Sequence, residues 1–191
     1  MDDVLDEDEE TVEVTMAEPA NAVRGSTATH TLTIKDDDDP PRIAVLPFFN
    51  KSSRRNAGEI VMLHFVRQME KQGNVTVIEP GVVRRELLGL RIIMDDGISL
   101  ANADLVFTTL NADLVLTGTV LDYEDDLGRG GVPKVDFSAV LLGRKNREIL
   151  WSSKSYNEGD DGVIFFDRGR VYTANEMASE MAGSIVKMLM E

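Results

Sequence analysis

Residues 43–48, with the sequence IAVLPF, form an uncharged run that constrains the fold more than any other stretch of the chain. A strand that is apolar at consecutive positions, and not only at alternating ones, is typical of a sheet centre that helices cover on both faces. Pro47 has no backbone N–H to donate, so we expect the strand to bend or end near it. The run therefore predicts a buried first strand over residues 42–49.

The apolar pattern predicts nine elements in the order β-α-β-α-α-β-β-β-α. A helix directly follows the first strand and ends at Gly73, since glycine is common just after a helix. The later predicted elements are strands over residues 74–78, 113–123, 134–142 and 148–156, helices over residues 82–88 and after Ser99, and a C-terminal helix after Thr173.

Two helix starts carry the spacing of a capping box, in which a small polar residue is followed three positions later by Glu. Asn56 and Glu59 match this spacing in the first helix, and Thr173 and Glu176 match it in the last. The last helix is further defined by an apolar stripe that we expect to face the core. Its members are Met177, Met181, Ile185, Met188 and Leu189.

The element order predicts the fold class, which is α/β (α+β). The early β-α-β unit implies a parallel pair of strands, and the later hairpins imply an antiparallel meander. We therefore expect one mixed β-sheet with helices packed on it, including the C-terminal helix. The core residues predicted for this arrangement are Ile43, Val45, Phe48, Phe65, Val77, Leu114, Leu116, Phe137 and Trp151.

Charge divides the chain into two parts. Residues 1–40 hold 13 acidic and two basic side chains, whereas the remainder is nearly neutral. This composition predicts an acidic, largely disordered tether over residues 1–40 and a single α/β domain over residues 41–191, although HTLTI at 30–34 alternates like a short edge strand. A chain with this net charge of −14 is expected to repel nucleic acid.

Several kinds of chemistry find no support in the residues. The chain has no cysteine, which excludes disulfides and thiolate chemistry. Its two histidines, His30 and His64, are spaced too far apart for a local metal site, and no acidic cluster has the alternating ligands of a calcium loop. No serine lies in a nucleophile-elbow sequence. We therefore predict no enzyme activity, no metal and no cofactor.

The sequence also bears on the compartment. No stretch is apolar over the 18 or so residues that a bilayer span needs. The opening MDDVLDEDEE has neither the positive region nor the apolar region of a signal peptide. We expect the chain either to be cytoplasmic as written or to be a fragment whose export segment was removed.

The loop between the first strand and the first helix offers one alternative function. A helix start attracts anions, and Arg54 and Arg55 would strengthen that attraction. The loop has no glycine and its Lys51 stands ahead of the helix, which departs from a phosphate-binding loop. A solvated connection is favoured, and a small anionic ligand bound between Ser52 and Asn56 is the alternative.

The segment from Gly162 to Tyr172 is the best candidate for partner contact. It combines adjacent aromatic residues with arginines, a composition common in interface hot spots. The competing interpretation places one phenylalanine in the core and pairs an arginine with a nearby acid. The predicted partner-binding residues are Phe165, Phe166, Asp167, Arg168 and Arg170.

Four segments in this order, IAVLPFFNKS, VTVIEPGVVRREL, ADLVLTGTVLDYED and REILWSS, resemble a known group of proteins. The group comprises bacterial cell-envelope lipoproteins related to CsgG, together with the amino-terminal domain of TolB and with LpoB. The likeness covers about residues 42–156. This chain departs from the group by having Asn146 near a common glycine and by lacking the cysteine that is lipidated.

The resemblance implies a small α/β sandwich that is exported to the periplasm and binds proteins or builds assemblies without enzyme activity. We therefore expect a protein-binding or assembly module in the periplasm or at the outer membrane, with an envelope protein as partner and with homo-oligomers as a further expectation. The alternative is a cytoplasmic regulatory module that binds a small anion.

Overall fold

The computed structural model describes residues 10–15, 17, 29–34, 40–92, 98, 100–125, 132–145, 147–158 and 171–190. The chain divides into two compact units, Met1–Pro40 and Pro41–Glu191, and each is described by itself. Within the described residues, no helix is both long enough and apolar enough to cross a bilayer.

The first unit contains an antiparallel hairpin of β1 (Glu10–Thr15) and β2 (Thr29–Ile34). Val12 lies opposite Leu32, and alternation along β1 places Val14 on the same face. Val12, Val14 and Leu32 are 46%, 61% and 55% exposed, respectively. The strand predicted at 30–34 is confirmed, and its partner β1 shows that the segment predicted as largely disordered contains paired strands. A tether role for residues 1–40 stays a prediction.

The second unit is built on a six-stranded mixed sheet in the order β5-β3-β6-β7-β8, with β4 also paired to β6. β3 is parallel to both of its neighbours, while β6, β7 and β8 form the antiparallel meander. The predicted fold class is confirmed. The strands are β3 (Arg42–Val45), β4 (Phe49–Asn50), β5 (Thr76–Val77), β6 (Leu114–Glu124), β7 (Lys134–Gly143) and β8 (Ile149–Glu158).

Two helices pack on each face of the sheet. One core contains residues of α1 and α4, and the other contains residues of α2 and α3. Glu79 caps α2 by accepting hydrogen bonds at 3.0 Å from the backbone N–H groups of Gly81 and Val82, and Pro80 occupies the first turn. The helices are α1 (Ala57–Gln72), α2 (Pro80–Gly89), α3 (Leu100–Leu110) and α4 (Ala174–Met190).

The apolar run that opens this unit contributes to both cores. Ile43 and Val45 pack with α1 and α4, whereas Ala44 and Leu46 pack with α2 and α3. All four side chains are at most 1% exposed. The pairing stops at Pro47 and resumes in β4, so the predictions of two-sided burial and of a break at the proline are confirmed.

The core under α1 and α4 is centred on three phenylalanines. The rings of Phe48 and Phe65 stack with centroids 5.3 Å apart, and Phe137 meets both edge-on at 6.1 and 5.8 Å. Burial of three such rings, with their mutual contacts, is a large stabilising contribution. Of the predicted core residues, Val77, Leu114 and Trp151 are only partly buried against this cluster.

Helices α1 and α4 run in parallel, side by side. His64 and Gln68 of α1 bond to Asn175 and Ser179 of α4, so both helices advance together. The predicted stripe of α4 is correct at Met177, Met181 and Ile185. It is wrong at Met188, which is 58% exposed, because burial falls away over the final turn.

Candidate partner-binding site

The predicted partner segment, Phe165 to Arg170, lies outside the described residues. The chain is described again from Val171, which is partly buried against the core, and the next side chain, Tyr172, is 60% exposed. The segment therefore joins the described fold at the start of α4. The contacts at the start of α4 therefore define the part of the fold that adjoins the segment in sequence.

The start of α4 is held by two hydrogen bonds. Thr173 Oγ1 accepts from the backbone N–H of Glu176 at 3.1 Å, which confirms the predicted cap. Asp125 Oδ1 accepts from the backbone N–H of Ala174 at 2.9 Å. Because Asp125 follows β6, this second bond fixes the helix start to the end of the sheet.

The loop before α1 lies at the same end of the sheet and is organised by Asn50. Its Oδ1 accepts from the backbone N–H of Ser52 at 3.0 Å and from the Ser52 hydroxyl at 2.7 Å, and its Nδ2 donates to the carbonyl of Arg54 at 2.7 Å. This side chain reproduces the hydrogen bonds of a backbone turn. The loop is therefore shaped by its own side chains.

Arg54 and Asp125 connect this loop to the start of α4. Arg54 Nη1 lies 3.5 Å from Asp125 Oδ2, and the two side chains are 52% and 36% exposed. An ion pair this exposed contributes little to stability, but it places the cation near the carboxylate. Much of the charge of Arg54 is thereby offset, which weakens the alternative of an anion site between Ser52 and Asn56.

The first turn of α1 packs closely against the strand before it. The backbone N–H of Phe48 donates to the carbonyl of Gly58 at 3.3 Å, and a Cβ at Gly58 would lie 1.9 Å from the carbonyl oxygen of Phe48. Only glycine allows backbones to approach this closely. The predicted cap by Asn56 is wrong: its φ is 62°, and its side chain makes no capping hydrogen bond.

The far end of the meander lies near the same junction. Lys134 Nζ lies 3.0 Å from Glu158 Oε1, and the Tyr156 hydroxyl donates to the same carboxylate. The hydrogen bond from Tyr156, with that from Lys134, lowers the pKa of Glu158, and the bond to Glu158 raises the pKa of Lys134. Leu121 and Tyr156 are 39% and 52% exposed here. This end presents both apolar and paired charged groups to a partner.

Tyr123 is buried beneath this end of the meander. Its side chain is 3% exposed, and it packs in the core with Val135. Burial, together with the nearby charge of Asp125, raises its pKa to about 12, although Arg54 opposes the shift. A phenol that holds its proton so strongly does not act as a base near neutral pH.

Two cavities lie away from this end of the meander. One of 220 Å³ lies between α1 and α2, where Glu59 and Arg84 are the ionisable lining residues and stand 3.9 Å apart. The other, of 640 Å³, opens beside the turn that joins β7 to β8. Within the described ranges, no three His, Asp or Glu side chains are grouped closely enough to hold a metal ion.

Asp125 and Asn50 were not predicted as site residues. Asn50 carries a usable signal, because an asparagine directly after a strand commonly bonds the backbone two residues on. Asp125 carries none: it lies in an acidic run, and its partner Ala174 is 49 residues away. The network thus depends on contacts that only the fold creates.

Comparison with known proteins shows a shared fold. A scan against protein-family models and a search of curated proteins each found no match. A variant PelC dodecamer from Paraburkholderia phytofirmans aligns at a TM-score of 0.57, with 16% identity over 94% of this chain and 98% of that chain. Since the second unit spans Pro41–Glu191, an alignment over 94% of the chain reaches into the first unit.

Two lipoprotein-related structures also align. Lipoprotein GNA1162 from Neisseria meningitidis has a TM-score of 0.52, with 18% identity over 78% of this chain and 98% of that chain. The C-terminal domain of LpoB from Salmonella enterica has a TM-score of only 0.47, with 15% identity over 62% of this chain and 83% of that chain. At these identities the chain shares the fold of PelC and of lipoprotein GNA1162, while likeness to CsgG and to TolB stays a prediction.

Proposed function

We propose that this chain is a non-enzymatic protein-binding or assembly module of the bacterial cell envelope, acting in the periplasm or at the outer membrane. The observation that carries the proposal is the shared fold with PelC, whose structure is a dodecamer, and with the lipoprotein GNA1162. A shared fold does not by itself imply a shared function, so the proposal also needs a surface that could bind a partner. The junction at the start of α4 supplies it.

The junction has the properties of a docking surface. The start of α4 is fixed to the sheet by Asp125, and the exposed Tyr172 lies beside it. The segment from Phe165 to Arg170 directly precedes Val171 in the sequence, and its aromatic and arginine residues are of the types that dominate interface energies. A firmly held attachment point lowers the entropy lost when a recognition segment binds.

The experiment compares partner capture with folding. Tagged wild-type protein and a Phe166→Ala/Arg168→Ala double variant are used to capture partners from bacterial envelope extract. We expect the double variant to lose capture while its Tm stays close to that of wild type. Leu88→Ala is the matched control, because this α2 side chain is 70% exposed and lies on a different part of the surface.

Two results would contradict the proposal. If the double variant unfolds, the two side chains belong to the core and not to an interface. If it captures partners as well as wild type does, the segment is not the contact surface. Sedimentation of the purified chain over a range of concentrations tests assembly separately, and a monomer at every concentration removes the assembly part of the proposal.

The alternative is a cytoplasmic regulatory module that binds a small anion between Ser52 and Asn56. It draws on the exposed Arg55 at the start of α1, but Arg54 already pairs with Asp125. A thermal-shift screen with nucleotides tests it. A shift in Tm that disappears in Arg54→Ala would favour this alternative over the envelope module.

A further inference from the structure

Strand β8 is a long outer edge of the sheet. Among the described residues it pairs with β7 alone, and it runs for ten residues, whereas the opposite edge strand β5 has two. An outer strand presents backbone N–H and C=O groups along its free side, and another strand can add to it. Residues 151–155 form the middle of this edge.

The hairpin of β1 and β2 supplies strands that lack a larger sheet. A two-stranded hairpin on its own is only marginally stable in water. One face of this hairpin carries the exposed aliphatic side chains Val12, Val14 and Leu32. If the hairpin joined an existing sheet, the backbone groups along one hairpin edge would gain hydrogen-bond partners. Its aliphatic face would also lie beside further side chains.

The alternation of β1 matches that of β8. In β8, Trp151 and Ser153 stand beside Leu141 and Ala139 on the face that α1 and α4 cover, so Lys154 points to the opposite face. In β1, the valines alternate with Thr11, Glu13 and Thr15. A strand that places Glu13 beside Lys154 therefore places its valines on the same side as the half-buried Trp151.

Charge favours the same pairing. The first unit carries 13 acidic and two basic residues, and β1 contributes Glu13 at its centre. Strand β8 carries Lys154 near its centre, whereas the charge of the turn that leads into it is already offset in part, since Arg147 pairs with Asp104. Opposite charges on directly neighbouring strands stabilise a sheet, and complementary charge also speeds association.

We propose that β1 of one copy adds to the β8 edge of a second copy, so that neighbouring copies share a continuous sheet. The inference rests on the proposed assembly function and names its interface. A second copy is favoured as the occupant because the PelC chains that align over both units are assembled as dodecamers. β1 is favoured over β2 because it carries the acidic residue that matches Lys154.

The absence of cysteine from the sequence makes a clean cross-linking test available. A full-length Ser152→Cys variant is mixed with a differently tagged Thr11→Cys or Thr15→Cys variant and treated with a short bis-maleimide. With Glu13 beside Lys154, Ser152 lies beside Thr11 if the added strand is parallel to β8 and beside Thr15 if it is antiparallel. We expect a product that carries both tags. The control mixes each β1 variant with Leu88→Cys, whose side chain is 70% exposed on α2, a helix that packs on β3, and should give little product.

A charge variant adds a second readout. Lys154→Glu should weaken self-association about two- to fivefold, since a cross-strand charge pair contributes a few tenths to about 1 kcal/mol. Lys154→Arg keeps the charge and should retain association.

Each remaining outcome overturns the inference. A chain that assembles without the mixed product uses another interface, and the proposed function then stands without this one. Cross-linking confined to a double variant that combines Ser152→Cys with Thr11→Cys or Thr15→Cys, with none between copies, places the hairpin on its own sheet. A chain that is monomeric at every concentration removes both the interface and the assembly role.

Discussion

Asp125 and Ala174 are joined by a 2.9 Å hydrogen bond across 49 residues of sequence. The carboxylate adds to the local cap by Thr173, because it accepts from the first N–H of α4 while its other oxygen faces Arg54. One side chain therefore sets the relation between the end of β6, the loop before α1 and the start of α4. The proposed docking segment is attached to the last of these.

Replacing Asp125 should destabilise the second unit. We expect Asp125→Ala to lower the free energy of unfolding by about 1–2 kcal/mol, the usual loss when a helix cap is removed. Urea unfolding measures the change. Asp125→Asn keeps an acceptor and should lose less, and Arg54→Ala should lose only a few tenths of a kcal/mol, since exposed ion pairs contribute little. Equal losses in all three variants would contradict a capping role.

A methyl group at Gly58 should be far more disruptive than one at another helical glycine. Gly58→Ala would force a Cβ against the carbonyl of Phe48. We therefore expect the free energy of unfolding to fall by about 1–3 kcal/mol. Gly89 lies at the end of α2 and has open space around its Cβ position. Gly89→Ala should therefore be neutral or raise stability by up to about 1 kcal/mol. Similar Tm values for both variants would show that the contact at Phe48 is not tight.

His64 should make stability depend on pH in the weakly acidic range. Burial lowers its pKa from 6.5, opposed by the hydrogen bond with Asn175 and assisted by Arg67. The pKa of His64 is thus lower in the folded protein than in the unfolded one, so the unfolded chain takes up the proton first as the pH falls. The contribution of His64 to stability is therefore complete above pH 6.5 and is lost as the pH drops toward the pKa of the folded state. Unfolding curves across this window should show less pH dependence in His64→Gln. Asn175→Ala should extend the window to lower pH, and an unchanged curve in His64→Gln would assign the dependence to other groups.

Tyr123 should ionise only well above the ordinary range of a tyrosine. Its pKa is raised to about 12, mainly by burial, from an ordinary value of 10.0. The unfolded chain loses this proton first, so stability falls as the pH rises from 10.0 toward about 12. Tyrosinate absorbance should show one transition at this upper limit, and Tyr123→Phe should remove it. If Tyr123→Phe instead removes a transition near pH 10.0, Tyr123 is accessible to water.

The structural features that depend on short-range sequence patterns are the ones predicted best. The two-sided burial of residues 43–46 follows from consecutive apolar positions, and the cap at Thr173 follows from its spacing to Glu176. Asn56 has the same spacing to Glu59, yet it does not cap. Its left-handed backbone is compatible with the close contact between Gly58 and Phe48, which no local pattern reveals.

The candidate site depends on longer-range relations, so little of it could be predicted. The link from Asp125 to Ala174 exists only once the sheet has formed, because the two residues are remote in sequence. The hairpin partner β1 was also missed, since Val12 and Val14 stand among acidic residues that favour disorder. The role of Phe165 to Arg170 stays a prediction.

The pairing of β3 with β6 has a consequence during synthesis. The backbone of Arg42 bonds to Asp113, 71 residues later, so the most apolar strand emerges from the ribosome long before its neighbour exists. Contacts that close so long a loop form slowly, and an uncovered aliphatic strand is prone to aggregate in the interval. Early cover from α1, the first helix to be translated after that strand, would shorten this interval.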